Sequence, residues 1–387
     1  MQDNLELRKK SLASAKTIVV KVGSAVLTGE RGLDLRVVNR LADQLAALHD
    51  KGYNVALVSS GAVAAGKKRV TSFGNVDLSE FSSPDLPTKQ AASAVGQGRL
   101  MHEYDEAFAR YDKATAQILL TREDLKDRQR FLNARNTMSK LLDWRVIPIF
   151  NENDTVSVSE LTFGDNDTLG ALTVNLVDAD VFINITSADG VFDKNPDSNP
   201  DAKCLRYIDN ISDFDIEGTC SGKTSAGTGG MYTKLRAARR AAQLGVPTLI
   251  ISGKTPFALE RAFDGDESGT WVFPEAKSVS QRKFWLAYNN EPVGDIILDD
   301  GAATALTKRG KSLLPAGITE VNGCFGKGEL VRLLTVDGKS IGVGLTNYSS
   351  DDLSAIKGHQ SGEMAEIISA ATYEEAVHRD NMLLDAL

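Results

Sequence analysis

The sequence predicts an α/β fold, a mostly parallel sheet sandwiched by helices, with a small β-barrel-like domain after it. Three observations carry that expectation. Short β-branched runs alternate with amphipathic helical stretches through the first two thirds of the chain. Polar and glycine residues gather in the loops that follow those runs. Beyond about residue 276 the pattern changes to short apolar stretches cut by glycine, as in small barrels.

Taken in order, T-I-V-V-K-V (17–22) reads as a buried strand that ends at Gly23. Leu35, Val38, Leu41, Leu45 and Leu48 recur at spacings of three and four, which makes 35–49 an amphipathic helix. N-V-A-L-V-S (54–59) is a second strand, and G-A-V-A-A-G after it opens a helix of small residues. Further strands are expected at 117–120, 145–150, 181–185 and 248–251, separated by helices near 88–111, 131–143, 166–177 and 233–244. These elements assign 15–273 to the first domain, 274–283 to a linker, 284–368 to the second domain and 369–387 to a polar surface tail.

Composition narrows the function. At 387 residues the chain can bury two cores, and 25% charged residues is ordinary for a globular enzyme. A net charge of −8 argues against a polyanionic partner. The three cysteines and four histidines are scattered, without zinc-site or disulfide spacing, which fits a reducing cytoplasm. No apolar run approaches membrane-spanning length, and the first ten residues have no signal-peptide core.

In open α/β sheets ligands bind beyond the carboxyl ends of the strands, so the loops after the strands should converge on one site. Lys21 stands in an otherwise apolar strand; it either snorkels from the strand end or meets an anion, with Gly23 and Ser24 letting backbone approach. S-G-K-T-S-A-G-T-G-G-M-Y-T-K (221–234) contains a tempting G-K-T, but a P-loop needs glycine at 217 and Glu217 is there. Its second half ends on Lys234, inside the expected helix. Two lysines on separate glycine-bearing segments suit a transferring phosphoryl group.

Three polar stretches complete the set. Ser60 is either a helix cap or a hydroxyl gripping an anion beside helix N–H groups. Asn151, Glu152, Asn153 and Asp154 form either a plain turn or a recognition surface for a small polar ligand such as an ammonium. One of Asp165, Asn166 and Asp167 should cap the next helix; the others are spare, and a carboxylate there would hold the two lysines or help bind Mg²⁺. R-F-L-N-A-R-N (130–136) reads as a helix start with surface charge.

Together V-V-K-V-G-S-A-V-L-T, S-S-G-A-V-A-A-G, K-Q-A-A-S-A-V-G-Q, L-L-T-R-E-D, R-F-L-N-A-R-N-T, F-N-E-N-D-T, G-D-N-D-T-L and G-T-G-G-M-Y-T-K resemble the glutamate 5-kinases of the amino acid kinase family. D-D-G-A-A-T-A-L, S-L-L-P-A-G-I and A-V-H-R-D-N-M extend the resemblance through a C-terminal PUA domain, so that it covers nearly the whole chain. The resemblance implies ATP-dependent phosphorylation of the L-glutamate side-chain carboxylate to γ-glutamyl phosphate, the first step of proline biosynthesis. Carried over by motif, Lys21, Asp167 and Lys234 are catalytic, with Asp167 organising the lysines. Ser60, Asn151, Asp154 and Asn166 bind glutamate. Lys21, Thr186, Ser187, Thr228, Gly229, Gly230, Met231, Tyr232, Thr233 and Lys234 bind ATP. No residue is assigned as a direct ligand of the Mg²⁺ that the family requires.

The resemblance further implies feedback inhibition by proline, a homo-oligomer, and hand-over of product to glutamyl phosphate reductase. This chain departs from the family at Ser187, where an aspartate is usual; Asp189 lies two residues on. Other acceptors within the family are acetylglutamate, aspartate and a nucleoside monophosphate. A PUA domain also raises RNA binding, but residues 281–387 carry 10 Lys and Arg against 15 Asp and Glu, a net of −5, which disfavours phosphate contacts.

Overall fold

The computed structural model describes residues 2–384 apart from 30–31, 75, 83, 158–165, 197, 221–229, 276–278, 290–291, 361 and 369–372. The chain divides into two compact units, Met1–Ser278 and Val279–Leu387.

The first unit is built on eight strands: β1 (Thr17–Val22), β2 (Asn54–Ser59), β3 (Thr115–Leu120), β4 (Ile147–Glu152), β5 (Val181–Thr186), β6 (Tyr207–Ile208), β7 (Thr248–Ser252) and β8 (Thr270–Val272). Their order in the sheet is β6-β8-β7-β5-β1-β2-β4-β3, and every pair is parallel except β7 with β8. The helices that matter for the site are α1 (Gln2–Ser14), α2 (Leu35–Asp50), α3 (Ala62–Ser72), α4 (Leu86–Ala109), α5 (Arg128–Asp143), α6 (Asn166–Val177) and α7 (Met231–Gln243).

Side chains alternate across β1, so Ile18, Val20 and Val22 enter one core with Leu41, Leu45 and Leu48 of α2. Lys21 is therefore on the opposite face, the one that α6 covers. Gly170 allows α6 to lie close. A Cβ there would come within 2.9 Å of the Phe182 ring and 3.4 Å of Lys21 Cβ. Asp167, three residues earlier on the same helical face, is thereby lowered onto Lys21.

Helices α3 and α4 cross where glycine faces backbone. A Cβ on Gly66 would sit 1.7 Å from the Ala92 carbonyl oxygen, and one on Gly96 would sit 1.8 Å from that of Ala62. Neither backbone can yield, so Gly96→Ala is expected to force the helices apart and cost about 3 kcal/mol or more. Gly98→Ala, with nothing within 4 Å on the same helix, is the control and should be neutral or slightly stabilising. Urea midpoints of the two variants check this, and equal midpoints would refute the crossing argument.

The second unit carries a separate mixed sheet. Its strands are β9 (Gly294–Leu298), β10 (Ile318–Gly323), β11 (Leu330–Thr335), β12 (Ser340–Thr346) and β13 (Val377–Leu384), in the order β10-β9-β11-β12-β13. Only β9 and β11 run parallel. Two expectations need correction here. Residues expected to form a surface tail include β13, which pairs with β12 and buries Val377, Met382 and Leu383. Residues 281–283, expected in the linker, begin the helix Gln281–Asn289, whose Phe284 is fully buried.

Candidate active site

Asp167 is the second residue of α6 and is fully buried. Its Oδ1 pairs with Lys21 Nζ and accepts from Asn184 Nδ2 at 2.8 Å. Its Oδ2 accepts from Thr233 Oγ1 at 2.7 Å and from Lys234 Nζ at 3.1 Å. Burial pushes the carboxyl pKa up, but the ammonium charges of Lys21 and Lys234 and the bonds from Lys21 and Thr233 outweigh it and hold it near about 2. Both lysines are buried, 3% and 5% exposed, so Lys21 does not snorkel. They arrive from different directions, one from β1 and the other from α7, which packs on α6.

Asn166, one residue before, points elsewhere, because successive side chains on a helix diverge by roughly 100°. Its Nδ2 donates to the Ser59 carbonyl at 3.0 Å, to Ser60 Oγ at 2.8 Å and to Asn151 Oδ1 at 3.0 Å. Asn151 Nδ2 in turn donates to Gln97 Oε1 at 2.9 Å. Ser93 Oγ, one helical turn from Gln97, donates to Asp154 Oδ2 at 2.7 Å. Burial raises the Asp154 pKa against the lowering effect of that bond. Ser60, Asn151, Asp154 and Asn166 thus line one polar wall.

Several local expectations are adjusted. Ser60 is not a cap: the residue before α3 is Gly61, in the left-handed region at φ 107°, and it gives the helix no side-chain cap. Asn151 and Glu152 are not loop residues but the last two of β4, paired with Leu119 and Leu120; the turn begins at Asn153. Of the three candidates for capping α6, Asn166 and Asp167 spend their side chains elsewhere, and Asp165 lies outside the described residues.

The nucleotide-loop expectations divide in the same way. Thr186 ends β5, buried, and its carbonyl accepts from Gly253 N at 2.8 Å. Ser187 follows half-buried, and Asp189 is exposed. Thr228, Gly229 and the G-K-T lie outside the described residues. Gly230 caps α7 in an extended conformation without a side-chain acceptor, and Met231, Tyr232 and Thr233 form the first turn.

Sequence reasoning assigned no role to Ser93, Gln97 or Asn184. A signal for the first two existed. They fall in register with Leu100, Tyr104 and Phe108 on the buried stripe of α4, where polar side chains need partners. Asn184 stands directly opposite Lys21 on β5, visible only once strand order is known.

The sequence model of the amino acid kinase family matches residues 16–252, and that of the PUA domain matches 294–368. Curated relatives match nearly end to end. The chain is 60% identical to the glutamate 5-kinase of Maridesulfovibrio salexigens over 98% of its own length and 99% of that protein.

The chain belongs to the amino acid kinase family, among the glutamate 5-kinases.

It is also 57% identical to the glutamate 5-kinase of Nitratidesulfovibrio vulgaris strain DP4, over 99% of both chains. With that of Geobacter sulfurreducens it shares 46% identity over 98% of this chain and 100% of the other. Within this family member, the Asp167 clasp and the amide wall meet at the first two residues of α6, a seam between two subsites. Among the described residues no helix is long and apolar enough to cross a membrane.

Proposed function

We propose that the chain transfers the γ-phosphoryl group of ATP to the side-chain carboxylate of L-glutamate, yielding γ-glutamyl phosphate for proline biosynthesis. The observation that carries this reading is the seam itself: consecutive residues place a clasp of two lysines beside a wall of amides and one half-buried carboxylate. Lys21 and Lys234 suit the charge that spreads over a transferring phosphoryl group. The Asp154 carboxylate suits the substrate ammonium, and Ser60, Asn151 and Asn166 suit its oxygens. Thr186, Ser187 and the 228–234 segment are the nucleotide side.

The acceptor carboxylate has a reference pKa of about 4.3 and is ionised at neutral pH, so no general base is required. The barrier is the approach of two anions. Positioning and charge neutralisation then dominate, with the reacting oxygen held in line with the phosphorus. The lysines can leave Asp167 for the phosphates without leaving it bare, because Asn184 and Thr233 still donate to it. Mg²⁺, bound with ATP, would supply further neutralisation of phosphate charge. Asp167 already accepts four hydrogen bonds, and among the described residues no three His, Cys, Asp or Glu side chains cluster around a cation position.

The reading extends to a cytoplasmic homo-oligomer, inhibited by proline, that hands its acyl phosphate to a reductase. Three free thiols suit a reducing compartment. Trapping the product as a hydroxamate, with L-glutamate, N-acetylglutamate, aspartate and uridine monophosphate compared by ADP release, tests the acceptor. L-glutamate should give the highest kcat/KM, and preference for another acceptor would overturn the assignment.

A further inference from the structure

The amide wall has a direction. A backbone carbonyl can only accept, so the Ser59 carbonyl fixes the Asn166 amide with its NH₂ towards it. The same NH₂ faces Asn151 Oδ1, which turns the Asn151 NH₂ towards Gln97 Oε1. Gln97 must then present its own NH₂ at the end of the row; flipping it would set donor against donor. That terminal Nε2 is shut off from solvent and finds no acceptor among the described residues, on a residue only 8% exposed. A buried donor left without a partner is destabilising, so the empty position calls for an acceptor. Within the row, Asn151 Oδ1 faces Asn166 and Gln97 Oε1 faces Asn151, so neither of these oxygens is turned towards Gln97 Nε2.

We infer that Gln97 is a specificity-determining residue that donates Nε2–H to the α-carboxylate of the acceptor amino acid, an inference that rests on the function proposed above. The order of groups along the wall selects this carboxylate over the reacting one. Asn166 adjoins Asp167 and the lysines, where the side-chain carboxylate must react. Gln97 lies two amides further on, one helical turn from Ser93, which holds Asp154. Asp154 is the carboxylate for the substrate ammonium, and the α-carboxylate is bonded to the same carbon as that ammonium. Ammonium and α-carboxylate are then read by adjacent turns of α4, and an acceptor without the α-carboxylate leaves the Gln97 N–H unpaired.

Gln97→Glu tests this cleanly. The new side chain has the same shape and still accepts from Asn151, but it donates nothing and repels a carboxylate. The KM for L-glutamate should rise by about 30-fold or more, while the KM for ATP and kcat at saturation stay within roughly threefold. The inhibition constant of 4-aminobutyrate, which lacks the α-carboxylate, should not change. A glutamate KM close to that of the parent enzyme would sink the inference. So would a parallel loss of affinity for 4-aminobutyrate, which would mean the wall had collapsed. If Gln97→Glu does not fold by thermal unfolding, Gln97→Met, which lacks both the donor and the acceptor for Asn151, is read as a ratio: the KM for L-glutamate should rise by more than the inhibition constant of 4-aminobutyrate, and an equal rise in both would sink the inference. Should the parent enzyme itself form no acyl phosphate from L-glutamate, the acceptor reading falls and this inference falls with it; failure in the variant alone removes only the inference.

Discussion

Lys234→Ala is expected to lower kcat for acyl phosphate formation by about 10²- to 10³-fold, the usual loss when one preorganised charge partner of a transition state is removed. The variant should fold. Asp167 keeps Lys21, Asn184 and Thr233, and the start of α7 is set by Gly230 rather than by the lysine. The glutamate KM should move little, because Ser60, Asn151 and Asp154 do not touch Lys234. Steady-state hydroxamate assays beside circular dichroism and thermal melts make the measurement. Turnover near that of the parent enzyme would remove Lys234 from the phosphoryl site.

Asp167→Asn should have the larger effect on the fold itself. It keeps the shape of the side chain but leaves two buried ammonium groups without their carboxylate. Breaking a buried pair in this way costs about 3–5 kcal/mol. The pH dependence gives an independent signature. The folded carboxyl is held near about 2, below its ordinary value of 3.8. A depressed carboxyl pKa contributes stability that is complete above the unfolded value and is lost as pH falls through the folded one. The gap in urea midpoint between the parent protein and Asp167→Asn should therefore be widest at neutral pH and close between about pH 4 and pH 2. A gap independent of pH would show that Asp167 does not act through its charge.

Much of the first unit was legible because its signals were local. β1 and β2 begin and end where their β-branched runs meet turn residues, and α6 spans the predicted 166–177. What escaped was short or two-faced. β6 and β8, two and three residues long, have no measurable period. β13 reads as a tail because V-H-R-D-N-M-L-L mixes charge with apolar residues, which is how an edge strand protects its open side. β4, expected at 145–150, is displaced by two residues to 147–152. Arg145 sits at φ 60°, with its guanidinium bonded to the Gly52 and Tyr53 carbonyls, so the turn lasts longer than the apolar run implies.

The site was legible where a motif is contiguous and silent where partners come from distant chain. Lys21, Asp167 and Lys234 each stand out as a charge in an apolar or glycine-rich setting, yet the residues by themselves left open which acid of 165–167 would face the lysines, and only the family resemblance pointed to Asp167. Helix phase and the close seat provided by Gly170 decide that. Ser93 and Gln97 stay hidden because their partners Asp154 and Asn151 are 61 and 54 residues away.

The seam at Asn166 and Asp167 has an evolutionary consequence. In the function proposed above, phosphoryl handling would draw on β1, β5 and α7, whereas acceptor reading would draw on β2, β4 and α4. The two inventories share a single peptide bond. Descent with a new acceptor can therefore rewrite one inventory and inherit the other intact, provided that the helix start keeps its phase. Substitutions along α4 and β4 are the cheap moves in such a lineage. An insertion of one residue ahead of α6 is the costly move, since it would exchange the side chains that serve the two halves.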